Sequence, residues 1–275
     1  MGDVIGGGGT KLHVVDTGNP RGTPLVFVHG YCQSSGSWMR QVESDLGRDF
    51  RLVAFDLRGH GRSDKPEDPE AYKDPSLWAD DLRGVLETLD VRRSVLVAWS
   101  YAGRLIGDYL RAYGTERVSA IAFVAAVTRT GKQYSASPFD ELFPDVFSDD
   151  PATIGKVLQK FVTLCFARGF ALDPRVAAEI LAAEKVVPRI AREAMLKRGK
   201  LDYDDVLRAL EVPVLCTHGA SDDVVLRTSS EHIVKVVPNA KLSIYTGVGH
   251  SPFYEAPLRF NRELAEFASS LSSRA

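Results

Sequence analysis

Short apolar runs alternate with amphipathic segments along most of this 275-residue chain. Runs rich in Val, Leu and Ile occupy residues 25–29, 52–55, 95–98 and 118–125, and helical patterns lie between them at 38–46, 77–89 and 102–113. Two more strand–helix units follow, 212–217 with 229–237 and 241–245 with 258–271. Continuous apolar strands separated by helices are typical of a parallel sheet covered on both faces. The chain is therefore predicted to adopt an α/β fold with a mostly parallel central sheet and helices on both faces.

This alternation breaks between residues 128 and 210. No strand pattern occurs there, and prolines divide the segment into short helical pieces: Pro138, Pro144, Pro151, Pro174 and Pro188. Apolar residues recur at helical spacing from Ile154 to Cys165. We interpret 128–210 as a helical cap, or lid, inserted into a core domain formed by 1–127 and 211–275. Leu158 and Phe161 on this apolar face are candidates for a substrate pocket, although core packing explains the same pattern.

The charge and cysteine content narrow the classes of protein that this chain can represent. Lys and Arg total 34 and Asp and Glu total 36, which gives a net charge of −2. This balance argues against nucleic acid or a membrane surface as a partner. The three cysteines are odd in number and lack metal-ligand spacing, which favours a reducing compartment. Because the N-terminal sequence is unlike a signal peptide and no apolar run is long enough for a bilayer, we expect a cytoplasmic protein.

The strongest local signal is A-W-S-Y-A at residues 98–102, where a predicted strand meets a predicted helix. A serine flanked by small residues two positions away on either side is typical of a nucleophile elbow, whose sharp turn leaves no room for larger side chains. The usual pattern is G-x-S-x-G, whereas here alanines replace both glycines and Gly103 follows one place later. Such a turn holds the hydroxyl of Ser100 at the C-terminal edge of the sheet, close to the N-terminal amides of the next helix.

Glycine-containing turns follow the strands predicted at 25–29 and 52–55. The first begins His29-Gly30, and we expect His29 to order the loop through hydrogen bonds rather than to take part in chemistry. The second turn, at 56–63, matches D-x-R-G-x-G-x-S, and its glycines allow left-handed or closely approached backbone. The polar residues of this second turn are interpreted as scaffold: Asp56, Arg58 and His60.

An acidic residue and a histidine follow the last two predicted strands. The run at 212–217 leads into G-x-x-D, which ends at Asp222, and the run at 241–245 leads into a glycine-rich loop that contains His250. Asp223 competes for the acid role, but the G-x-x-D register favours Asp222. Each signal is weak alone, because an aspartate after a strand is usually a turn former or a helix cap. Together with the serine, they give the order Ser100, Asp222, His250.

In this order and at these strand ends, the five motifs resemble those of the α/β-hydrolase fold superfamily along nearly the whole chain. Within that superfamily the sequence is most similar to the branch of serine esterases and cofactor-free haloperoxidases. The resemblance implies a catalytic triad of Ser100, Asp222 and His250. It also implies an oxyanion hole formed by the backbone N–H groups of Tyr31 and Tyr101. This chemistry requires neither a metal nor an organic cofactor.

The resemblance implies hydrolysis of a small carboxylic ester or lactone through an acyl-enzyme. A serine nucleophile separates the chain from dehalogenases and epoxide hydrolases of similar sequence, which carry aspartate at that position. Other functions stay open: a haloperoxidase-like perhydrolase, a carbon–carbon bond hydrolase acting on a diketone, a cofactor-free oxygenase, and a ligand receptor that retains the triad. The candidate pocket residues are Trp38, Leu158 and Phe161. The sequence identifies neither the physiological substrate nor the oligomeric state.

Overall fold

The computed structural model describes residues 2–271, in which eight strands form one sheet. The strands are β1 Gly2–Ile5, β2 Lys11–Gly18, β3 Thr23–Val28, β4 Phe50–Phe55, β5 Ser94–Trp99, β6 Val118–Val124, β7 Val214–Gly219 and β8 Ala240–Tyr245. Their order across the sheet is β1-β2-β4-β3-β5-β6-β7-β8. Neighbours from β4 to β8 are parallel, whereas β2 is antiparallel to both β1 and β4. The mostly parallel sheet predicted from the apolar runs is confirmed.

The central strands are buried on both faces. Every residue of β5 and β7 is buried, and so are residues 25–28 of β3. Because successive residues of a strand point to opposite faces, burial of consecutive residues means that the sheet is covered on both sides. In a parallel arrangement, the loops at the carboxyl ends of β3, β5, β7 and β8 meet along one edge of the sheet. All the motifs singled out in the sequence lie in loops that follow parallel strands.

Helices connect and cover the strands. They are α1 Met39–Val42, α2 Leu46–Asp49, α3 Glu70–Lys73, α4 Pro75–Thr88, α5 Ala102–Tyr113, α6 Ser137–Asp140, α7 Pro151–Leu164, α8 Pro174–Lys185, α9 Arg189–Leu196, α10 Asp204–Arg208, α11 Thr228–Val236, α12 Pro252–Glu255 and α13 Pro257–Ser269. Helix α4 packs on α5, and α1 contacts both α12 and α13. None of the helices within residues 2–271 is long and apolar enough to cross a membrane.

The helix predicted at 38–46 is interrupted in the structure. A 3₁₀ turn, Ser35–Trp38, leads into α1, and α2 begins only at Leu46. Between them, Ser44 Oγ donates to Gln41 O at 2.7 Å and accepts from Leu46 N at 3.2 Å. A serine side chain that bonds to nearby backbone groups competes with the helical pattern, so the apolar spacing alone overestimates this helix.

The segment 128–210 lies between β6 and β7 and contains α6 to α10. Helices α7 and α8 pack on each other, and α9 packs on α3. Pro151 and Pro174 stand at the starts of α7 and α8, where the backbone N–H that proline lacks would have no helical partner. The preceding Asp150 and Asp173 cap these helices by accepting hydrogen bonds from backbone N–H groups. These two prolines therefore begin helices, which is why they separate the helical pieces of the segment.

Candidate active site

Ser100 occupies the turn between β5 and α5. Its φ of 57° lies in the left-handed region, which residues other than glycine rarely adopt. Backbone hydrogen bonds hold the strained turn, because Ser100 N donates to Val124 O at 2.9 Å and Ser100 O accepts from Val127 N at 2.9 Å. A Cβ at Gly103 would lie 2.9 Å from Val127 O, so a larger residue at this position would clash with the loop after β6.

Asp222 and His250 lie side by side in the loops that follow β7 and β8. Asp222 Oδ2 is 2.7 Å from His250 Nδ1, a hydrogen bond that the imidazole donates to the carboxylate. Asp222 Oδ1 accepts from two backbone N–H groups, those of Val224 at 2.8 Å and Val225 at 2.9 Å. Both carboxylate oxygens are thus engaged, and the side chain has a fixed orientation toward the histidine.

The surroundings of Asp222 keep its carboxylate ionised. His218, buried in β7, brings Nε2 to 3.1 Å from Asp222 Oδ2. Burial by itself raises the pKa of Asp222, but the facing His250 and His218 outweigh burial and hold that pKa well below its usual range. Asp223 instead forms an ion pair with the exposed Arg168 at 2.9 Å. The acid beside the histidine is therefore Asp222, as the G-x-x-D register predicts, and His218 is a contact that the strand pattern did not reveal.

Trp99 connects the histidine loop to the serine turn. Its indole Nε1 donates to His250 O at 2.9 Å, and the two rings lie 5.4 Å apart. Because Trp99 directly precedes Ser100, this bond fixes the backbone of His250 relative to the turn. Within residues 2–271, His250 Nε2 is buried and has no hydrogen-bond partner. Since Nδ1 is engaged by Asp222, Nε2 is the ring nitrogen that is left to exchange a proton.

The loop after β3 lies against the serine turn. A Cβ at Gly30 would be 3.1 Å from Ser100 Cβ, so only glycine permits this approach. The backbone N–H groups of Tyr31 and Tyr101 donate to no acceptor in the described part of the chain. Unpaired amides beside a serine are the donors that an oxyanion hole requires, because they can bind negative charge that develops on a carbonyl oxygen.

Two buried histidines shape this loop. His29 Nε2 accepts from Leu57 N at 3.0 Å, so its Nδ1 carries the proton and donates to Gly30 O at 2.8 Å. His60 Nε2 accepts from Cys32 N at 3.2 Å. Burial lowers the pKa of His29 and lowers that of His60 to about 3, so both rings are neutral. Both histidines order the loop, which is the role predicted for them from the sequence.

A cavity of about 360 Å³ opens beside Ser100, and aromatic rings form much of its wall. These rings come from the loops at the sheet edge and from the segment 128–210: Tyr31, Tyr101, Phe139, Phe143 and Phe161. A cavity of this size and character suits a small organic molecule. Of the three candidate pocket residues, Phe161 lies in this wall. Phe139 and Phe143 also line the cavity and are not among the candidates named from the sequence.

Trp38 and Leu158 do not line this cavity, contrary to the prediction. Trp38 is fully buried and packs on Phe253, with ring centroids 4.3 Å apart, and on Phe27, with centroids 5.1 Å apart. Leu158 is buried behind Phe161, where the two border a narrow cleft. Closeness to a motif in the sequence suggested the tryptophan, but its position is decided by packing against α12, more than two hundred residues away.

The side chains of Tyr31 and Tyr101 reach from the serine turn to α9. Tyr31 Oη donates to Arg192 O at 3.3 Å, and Tyr101 Oη donates to Met195 O at 3.0 Å. Each of these residues therefore offers an unpaired backbone amide beside Ser100 and a hydroxyl bonded to a helix of the segment 128–210. The aromatic rings between these two ends line the cavity.

The site contains a hydroxyl on a strained turn, an imidazole with one free nitrogen, and a carboxylate that holds the imidazole, with no hydrogen bond between the Ser100 hydroxyl and His250 Nε2 among residues 2–271. This set of groups can activate a serine for attack on a carbonyl carbon. Among residues 2–271, no three His, Cys, Asp or Glu side chains lie close enough together to hold a metal ion.

Residues 23–257 match the family described as the alpha/beta hydrolase fold, so the chain belongs to that family. A bifunctional esterase/perhydrolase from Acinetobacter calcoaceticus is 32% identical over 284 aligned positions, which cover 98% of this chain and 100% of that protein. A non-heme chloroperoxidase from Streptomyces lividans is 28% identical, covering 98% of this chain and 100% of that protein. The crystal structure of an esterase from a Rhodococcus species superposes with a TM-score of 0.91 at 36% identity and covers 98% of each chain. The predicted resemblance to the esterase and haloperoxidase branch is confirmed.

Proposed function

We propose that this protein is a serine hydrolase that cleaves a small carboxylic ester or lactone. The observation that carries the proposal is the pairing of Asp222 with His250 in the loops beside a strained Ser100 turn, next to two unpaired amides. The names of the similar proteins, an esterase/perhydrolase and an esterase, agree with this chemistry. The net charge of −2 and the cavity of about 360 Å³ favour a small molecule over nucleic acid or a membrane surface.

In the proposed reaction, His250 Nε2 accepts the hydroxyl proton of Ser100 as the serine oxygen attacks the carbonyl carbon. Asp222 holds the imidazole in the tautomer that leaves Nε2 free, and it stabilises the imidazolium that forms. The amides of Tyr31 and Tyr101 donate to the oxygen where negative charge develops. The imidazolium then protonates the leaving alkoxide. Water, deprotonated by His250, attacks the acyl-enzyme, releases the carboxylic acid and restores the serine.

Ser100→Ala tests the proposal directly. We expect the turnover of a p-nitrophenyl ester to fall by about 10⁴- to 10⁶-fold, as in serine triads in general, while the melting temperature stays close to that of the parent protein. A fluorophosphonate probe should label the parent protein and leave the variant unlabelled. A variant that retains a tenth of the activity would show that another residue is the nucleophile.

A second candidate activity is perhydrolysis, which the name of the Acinetobacter relative favours. Hydrogen peroxide would replace water as the group that attacks the acyl-enzyme. His250 would take the peroxide proton and return it to Ser100, so that the products are a peroxycarboxylic acid and free enzyme. Peracid measured with an ester and peroxide, and its absence with Ser100→Ala, tests this activity. If both proteins formed equal amounts of peracid, the peracid would not be produced at the proposed site.

We also propose that residues 128–210 act as a cap that selects the substrate, over a core formed by 1–127 and 211–275. Phe139, Phe143 and Phe161 of this segment contribute to the cavity wall beside Ser100. A wall made by inserted helices can vary in shape without changing the residues of the triad.

A further inference from the structure

Arg104 lies in the first turn of α5, four residues after Ser100, and lines the same cavity. The residue is 7% exposed, and its Nε is buried. Sequence alone gives no reason to single it out, because an arginine near the start of a helix usually points to solvent. The fold instead puts this charge beside the serine turn, under the helices of the segment 128–210.

The hydrogen bonds of Arg104 leave its charge without a carboxylate partner. Nη2 donates to Arg198 O at 3.0 Å and to Gly199 O at 3.3 Å, both neutral carbonyls. Nε is buried and has no hydrogen-bond partner within residues 2–271. The Tyr101 ring centroid lies 5.8 Å from the guanidinium carbon. Among the described residues, no Asp or Glu forms an ion pair with Arg104.

In two other buried arginines of this fold, the guanidinium forms an ion pair with an aspartate. Arg58 forms an ion pair with Asp81 at 2.6 Å, and Arg198 forms one with Asp108 at 2.7 Å. The Asp108 carboxylate near Arg104 is thus already engaged by Arg198, and it also accepts a hydrogen bond from the Tyr203 hydroxyl. Arg192 is likewise bonded only to carbonyls, but it does not line the cavity.

The remaining charged residues of the cavity wall do not neutralise Arg104. Arg129 is paired with Asp202 and with Asp204. Asp140 accepts from the Ser135 hydroxyl, and Lys132 is exposed. A guanidinium stays charged at any accessible pH, and a buried charge is costly unless an opposite charge pairs with it. The cavity wall beside Ser100 therefore combines aromatic rings with a buried arginine that has no ion pair of its own among residues 2–271, since the Asp108 carboxylate that interacts with it is paired with Arg198.

We propose that this cavity binds esters that carry a carboxylate, and that Arg104 binds this carboxylate while Ser100 attacks the ester carbonyl. Monoesters of short dicarboxylic acids are the simplest members of this class. The inference rests on the proposed esterase function and names a substrate class for the same site. A guanidinium pairs with a carboxylate through strong charge-assisted hydrogen bonds, so an arginine in the wall of this cavity is the group that would select such an ester. The aromatic wall suits the methylene spacer between the two carbonyl groups.

The test compares charged esters with neutral ones. Monoethyl esters of succinic, glutaric and adipic acid are assayed by proton release against the ethyl esters of butanoic, pentanoic and hexanoic acid, which have the same number of carbons. An acetate ester of 4-hydroxybutanoic acid places the carboxylate on the alcohol side and identifies which side of the ester faces Arg104. We expect kcat/KM for the best charged ester to exceed that of its neutral counterpart by at least about 10-fold.

Arg104→Gln should lower kcat/KM for the charged ester by about 10- to 100-fold, mainly through KM, and change the neutral ester by about twofold or less. Arg104→Lys should restore part of the difference. Arg111→Gln is the matched control, because it removes the same charge from the same helix, is exposed, and does not line the cavity. It should leave the preference unchanged.

The outcomes separate this inference from the proposed function. A parent enzyme that cleaves neutral esters and shows no preference for any charged ester overturns the role of Arg104 and leaves the esterase standing. Equal losses on charged and neutral esters in Arg104→Gln, or the same change in Arg111→Gln, also overturn it. Failure to cleave any ester, charged or neutral, overturns the proposed function itself.

Discussion

Replacing Asp222 by asparagine tests how the acid orients the histidine. In the structure, Oδ1 accepts from two backbone N–H groups, while Oδ2 faces His250 Nδ1 at 2.7 Å. An asparagine at this position must turn its carbonyl oxygen toward the two backbone donors, because an NH₂ group there would oppose two N–H groups. Its NH₂ then faces His250 and donates to Nδ1. The proton of the imidazole is thereby moved to Nε2, the nitrogen that must be free to accept the serine proton.

The expected cost follows from this tautomer. The same substitution in a comparable triad lowers turnover by about 10⁴-fold, which corresponds to about 5.4 kcal/mol in activation free energy. We expect a loss of this size for Asp222→Asn in the hydrolysis of a p-nitrophenyl ester at neutral pH. Asp223→Asn is the control, because it removes a neighbouring charge whose partner is an exposed arginine, and exposed pairs contribute little. Its turnover should stay within about twofold of the parent.

The paired comparison can refute the reasoning in two ways. A loss below about tenfold in Asp222→Asn would mean that the histidine does not depend on this carboxylate for its tautomer. A larger loss in Asp223→Asn than in Asp222→Asn would mean that Asp223, and not Asp222, is the acid. Melting temperatures of both variants separate either result from a loss of folded protein.

Two further predictions concern the segment 128–210. Burial raises the pKa of Glu184 well above its usual range, and one hydrogen bond from Gln33 opposes this shift. Because the pKa is higher in the folded state, the contribution of Glu184 to stability is fully present below the unfolded pKa of about 4.3. This contribution is lost as the pH rises through the folded pKa. Glu184→Gln should therefore raise the melting temperature more at about pH 8 than at about pH 5, and an equal effect at both values would contradict the shift. Phe161→Ala should change the preference among acyl chain lengths by roughly 10- to 200-fold, measured as ratios of kcat/KM. Leu158→Ala, which lies behind the wall, should lower the melting temperature and leave those ratios unchanged.

The mostly parallel character of the sheet and the chain order of Ser100, Asp222 and His250 could be read from the sequence because each depends on local patterns. A fully buried parallel strand requires a continuous apolar run, and a polar residue directly after it must lie at the carboxyl edge. Ser100 and Asp222 follow such runs, so their approximate neighbourhood needs no knowledge of packing, whereas His250 follows β8, which is only partly buried and alternates polar with apolar residues. Gly103 differs, because the close backbone contact that its small size permits is with Val127, in the loop after β6.

Other features depend on contacts between distant parts of the chain, which local patterns do not carry. Trp38 is a large aromatic residue of the kind that often lines a pocket, yet packing on Phe253 determines its position. β1, at the edge of the sheet, gains its structure from pairing with β2 and has no strand signal of its own. Arg104 is a further case, because its burial depends on carbonyls at 198 and 199 that belong to the inserted segment.

Tyr31 and Tyr101 connect the inserted segment to the proposed oxyanion hole. Each tyrosine offers an amide beside Ser100 and donates its hydroxyl to a carbonyl of α9. A displacement of α9 would therefore act on the rings of both residues and, through their backbones, on the unpaired amides beside Ser100. Since the strength of such donors depends on placement within a few tenths of an ångström, substrates that shift α9 on binding would change the rate of the chemical step as well as affinity.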